Sequence, residues 1–72
     1  MPISQYELDV YAAENEHLAA FRRAQANLHE HTAKEAAAGI THETPEYLRL
    51  NQAVIDAAKR LPKRLRYLAK EV

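Results

Sequence analysis

The sequence predicts an all-α protein: an antiparallel two-helix hairpin whose second helix is kinked or broken at Pro62. Three observations carry that expectation. The 72 residues hold a single Gly and are rich in Ala, Leu, Glu, Lys, Arg and Gln, the residues that lose least on entering a helix. The one Gly and a helix-start signal lie close together near the middle of the chain, at Gly39 and Thr44. Apolar residues recur at three-and-four spacing on both sides of that pair.

The first helix is expected over residues 4–38. Ser4-Gln5-Tyr6-Glu7 reads as a capping box, in which the Ser4 hydroxyl takes the Glu7 N–H and the Glu7 carboxylate returns to the Ser4 N–H. Ile3 before the cap and Leu8 after it are placed to form the accompanying hydrophobic staple. No Gly or Pro follows until Gly39, which stands where a left-handed residue closes a helix. At 1.5 Å per residue such a helix is about 50 Å long.

A short connection, residues 39–43, leads to the second start signal: Thr44 as N-cap, Pro45 at the first helical position, and Glu46 in the first turn, where the dipole favours an anion. The second helix is expected over residues 44–70. Pro62 removes one backbone donor and crowds the carbonyl four residues earlier, which puts a kink near residues 58–61 or a break into two short helices. No repeat or linker divides the chain, so residues 1–72 read as one helical-hairpin domain.

The seam can be counted. On the second helix the row 47, 51, 54, 58, 61, 65, 68, 72 holds Tyr47, Asn51, Val54, Ala58, Leu61, Leu65, Leu68 and Val72, all but one apolar, which is a coiled-coil heptad pattern. The matching row on the first helix contains Tyr11, Leu18, Phe21 and Leu28, but also Glu14, Gln25, Thr32 and Glu35. Two helices bury one stripe each, and a Leu-sized side chain contributes about 1.5–3 kcal/mol only when fully buried. Ordering costs on the order of 1.5 kcal/mol per residue, so a lone hairpin is marginal. A homodimer forming a four-helix bundle is the expected remedy, with Asn51 as a candidate for fixing register.

The net charge is zero but unevenly placed. Residues 1–58 carry four Lys+Arg against nine Asp+Glu, and residues 59–72 carry six Lys+Arg against one Glu. On a continuous α-helix, Lys59, Lys63, Arg66 and Lys70 fall in one stripe flanked by Arg60 and Arg64, opposite Leu61, Leu65 and Leu68. This basic amphipathic segment is the candidate partner-binding surface. Its bland counterpart is a solvated helix end where cations are favoured anyway.

These features point to a small non-enzymatic interaction protein: an adaptor, modulator or small subunit that binds another protein through its bundle surface and basic C-terminal segment. The alternative is a nucleic-acid-binding regulator using the same segment. It is disfavoured by a near-neutral pI of about 6.9 and by having only Tyr67 as an aromatic within the basic stretch. A metal-binding bundle is the third reading. Glu14 and His17 form a Glu-x-x-His pair, half of a di-iron ligand set, but the second helix supplies no matching pair. His31 and Glu35 read as a surface pair at i, i+4. Catalysis and a cofactor are not expected: there is no Cys, no Gly-rich loop, and Ser4 and Thr44 are spent on caps. No apolar run approaches the roughly 20 residues of a membrane span, and the absence of Cys fits a reducing, cytoplasmic location.

Overall fold

A computed structural model describes residues 3–71, and the side chains of residues 3–69. The described residues form two α-helices, α1 (Gln5–Ala37) and α2 (Pro45–Lys59), followed by a 3-10 helix over Lys63–Glu71. α1 and α2 pack against each other as an antiparallel hairpin.

The caps act as the residue types dictate. Ser4 Oγ accepts from the Glu7 N–H at 3.1 Å, while no bond returns from the Glu7 carboxylate, so half of the capping box forms. At the other end Gly39 adopts φ 79°. The Gly39 N–H donates to the Ala36 carbonyl and the Ile40 N–H to the Glu35 carbonyl, at 3.0 and 2.9 Å. That pair of bonds is the Schellman arrangement, which satisfies carbonyls the helix end would otherwise leave unpaired. Thr44 Oγ1 then accepts from the Tyr47 N–H at 3.1 Å, and Pro45 occupies the first position of α2.

Pro62 breaks the second helix instead of bending it. α2 stops at Lys59, eleven residues before the expected end at Lys70, and the chain resumes as a 3-10 helix of nine residues. This segment doubles back: Arg64 reaches Glu14 on α1, while Ala69 returns beside Phe21, Ile55 and Ala58.

Phe21, Leu28, Val54 and Leu61 form the buried core, and Leu18, Tyr47, Leu50, Ala58, Leu65 and Leu68 pack around it. The expected seam on the second helix is therefore in place from Tyr47 to Leu68; Val72 lies outside the described residues. On α1 every polar residue of the row has found a partner. Glu14 pairs with Arg64, Gln25 accepts from Arg22, Thr32 donates to the Leu28 carbonyl, and Glu35 accepts from Thr44. Such pairing removes most of the penalty for placing polar groups along a packed stripe.

Tyr11, expected in the core or dimer seam, is outside the core of the single chain. It is 65% exposed, because the elements that cover α1 end near Glu14. The staple residues Ile3 and Leu8 are likewise exposed. The first turns of α1 thus project as an arm beyond the hairpin, within a molecule measuring 56 × 17 × 17 Å.

Candidate interaction surface

Beside the core, α1 and α2 leave an apolar groove of about 550 Å³. It is walled by Phe21 and Leu28 on one side and by Val54, Ile55 and Ala58 on the other, with His29, Thr32 and Asn51 on its rim. The groove exists because the 3-10 helix crosses only one end of it, at Ala69. A smaller depression of about 470 Å³ shares Ile55, Ala58 and Ala69 with the groove and is bounded by Lys59 and Arg66. The apolar channel therefore has a basic end. Asn51 is half-buried on its rim, and its amide makes no hydrogen bond among the described residues, so the groove also contains an unspent polar group.

The basic residues do not form the single stripe that a continuous helix would give. In a 3-10 helix side chains eclipse every third residue, so Lys63 and Arg66 share a row while Arg64 falls on another. Arg64 is committed to Glu14, and Arg66 donates from Nε to the Leu61 carbonyl at 3.3 Å, closing the backbone break at Pro62. Lys59, Arg60 and Lys63 enter no ion pair among the described residues and are exposed. The Lys70 side chain lies outside the described residues. Of the six expected contact residues, the structure thus gathers Lys59 and Arg66 at the groove and diverts Arg64 to an internal tie.

The groove itself escaped the sequence reading, which gave Ile55 no role and offered Asn51 only for fixing register. The signal available was the exposed flank of α2: Leu48 and Ile55 stand seven residues apart, one heptad, just off the seam.

A second cluster lies at the loop end. Glu35 Oε1 sits 2.7 Å from His31 Nε2 and accepts from the Thr44 hydroxyl at 3.1 Å. The Glu35 side chain is only 11% exposed and its other oxygen has no hydrogen-bond partner. Glu35 is therefore more than half of the surface pair the spacing suggested: its bond with Thr44 ties the end of α1 to the cap of α2. Nearby, on the surface, Arg49 donates to Glu46, an interaction that holds the Glu46 carboxyl below its ordinary value and raises Arg49.

Glu14 and His17 do not come together as ligands. Glu14 is engaged by Arg64 and His17 is exposed, and no group of three or more His, Asp or Glu is placed to hold a metal ion among the described residues. No helix among them is long and apolar enough to cross a membrane. Set against known proteins, the chain matches no family model, no curated protein and no solved structure.

Proposed function

We propose that this chain is a non-enzymatic interaction protein, an adaptor, modulator or small subunit, that works as a homodimer and receives an amphipathic helix in the groove between α1 and α2. Its basic end, at Lys59 and Arg66, engages acidic residues of that helix. One observation carries the reading: the core buries four large apolar side chains, three of them fully, while nine others, among them Tyr6, Tyr11, Leu48 and Ile55, stand exposed. Scattered exposed apolar residues are ordinary, but five of these nine (Ile3, Tyr6, Leu8, Val10 and Tyr11) gather at the start of α1 and Ile55 stands at the lip of the groove, which marks contact surfaces. Helix-in-groove recognition takes affinity from apolar anchors and orientation from charge at the rim.

The test compares proteins retained from a native lysate by the wild-type chain and by Ile55→Glu and Lys59→Glu variants. Ile55 is 41% exposed, so its substitution leaves the core intact and circular dichroism should be unchanged. Ile55→Glu should abolish retention, and Lys59→Glu should reduce it and flatten its salt dependence. The same set of proteins retained by all three chains would overturn the groove as the binding site. Binding to a mixed nucleic-acid pool that falls steeply with salt and survives Ile55→Glu would replace this reading with nucleic-acid recognition.

A further inference from the structure

We infer that the helix this groove receives is the arm of a second copy of the chain, residues 3–14, with each arm lying in the groove of the other. The inference rests on the groove being a helix-binding site and names its occupant.

The argument begins with the unfinished stripe of α1. At 100° per residue, Val10 lies on the face that Phe21 and Leu28 present to the core, and Tyr6 and Tyr11 lie on its two flanks; Ile3 precedes the N-cap Ser4. From Leu18 onward that face is covered by α2 and the 3-10 helix; over the arm only Arg64 of the 3-10 helix reaches it, pairing with Glu14 beside Val10 and Tyr11. Tyr6 is 76% exposed and Ile3 61%. One chain thus carries a helical arm with exposed apolar residues and, farther along α1, a groove floored by the buried Phe21, Leu28 and Val54 with Ile55 exposed at its lip.

The two fit in length, charge and area. The groove follows α1 from Phe21 to Thr32, a rise of about 16 Å, and the helical part of the arm, from Gln5 to Glu14, rises about 14 Å. The arm brings Glu7, on the flank of its apolar face, to a channel whose end carries Lys59 and Arg66. The accessible surface is 5618 Å², where a compact monomer of 8.2 kDa has about 4,500 Å². The excess of about 1,100 Å² exceeds the ~800 Å² that each partner contributes to a standard interface. Because the arm and groove lie on the same molecule, a two-fold axis makes the contact twice and closes the assembly at two copies.

Sedimentation velocity of the full chain between 1 and 200 µM tests this. The wild-type chain should sediment as a dimer at the upper end. Val10→Glu or Tyr6→Glu in the arm, and Ile55→Glu in the groove, should each raise the dimer dissociation constant at least tenfold without loss of helical circular dichroism. An equimolar mixture of an arm variant and the groove variant should regain dimer, because one intact arm still meets one intact groove. A wild-type chain that is monomeric throughout overturns the inference. So does an Ile55→Glu chain that dimerises as tightly as wild type, which would place the arm elsewhere. Neither result removes the groove as a site for another protein's helix, since the lysate comparison reads that separately.

Discussion

Val10 and Phe21 lie on one face of one uninterrupted helix, yet Phe21 is fully buried and Val10 is 37% exposed. The arm and the covered half of α1 share helix type and apolar spacing, though the arm carries Glu7 and Asp9 and the covered half Arg22 and Arg23. What decides their burial is what lies opposite. α1 spans 33 residues and α2 only 15, and the 3-10 helix after Pro62 folds back toward the groove instead of running on beside the arm. An apolar stripe therefore states that a face is to be covered, and the length of the opposing element decides how much of it this chain covers by itself.

The largest effect that should separate the two halves comes from truncating their apolar residues. Phe21→Ala should cost about 3–5 kcal/mol, as for a buried aromatic, and in so small a domain this should abolish the cooperative unfolding transition. Tyr6→Ala, on the arm, should shift the stability of the dilute protein by less than about 0.5 kcal/mol. Urea melts at low micromolar concentration check both. Equal losses would mean the arm is packed in the isolated chain.

An intermediate effect belongs to the hinge between α1 and α2. Gly39 has a positive φ, and a Cβ placed there would meet nothing within 4 Å. Gly39→Ala should cost about 1 kcal/mol from backbone strain alone, with no loss of packing. Melts of Gly39→Ala and Gly39→Asn sharpen the point, since Asn tolerates the left-handed region better and should recover part of the loss.

These contrasts also show how much was legible in the sequence. The hairpin, both N-caps, the Gly39 closure and the seam from Tyr47 to Leu68 follow from local rules, because caps and heptad spacing act within a few residues. Tyr11 did not, because its burial depends on where an element far along the chain stops. The basic stripe did not either. Its geometry assumed 100° per residue past Pro62, whereas the 3-10 helix rotates each residue further and sends Arg64 to Glu14 and Arg66 to the Leu61 carbonyl. The tie from Glu35 to Thr44 was half visible, since the spacing picked out Glu35 in its i, i+4 pair with His31; the contribution of Thr44 needed the loop to bring it back.

The smallest effect is electrostatic. Glu46 is held below its ordinary value by Arg49, so its contribution is present above the unfolded-state pKa and is lost as pH falls through the lower folded value. The pair is fully exposed, and solvent screening keeps the effect small. Glu46→Gln should therefore remove only a slight part of the acid-side slope in a pH series of thermal melts. A large change would mean the pair is covered in solution, as it would be if the second copy docked over the start of α2 instead of in the groove.

The division of α1 into a covered half and an arm awaiting a second copy is most directly read by amide hydrogen exchange along the helix at two protein concentrations. In dilute solution, residues 18–37 should be protected and residues 5–14 should exchange within the fastest measurable time. At several hundred micromolar, protection should rise over residues 5–14 and over residues 51–58 together, while residues 18–37 change little. An arm as protected as the Phe21 turn at every concentration would contradict the account, and so would an arm that stays unprotected when the protein is concentrated.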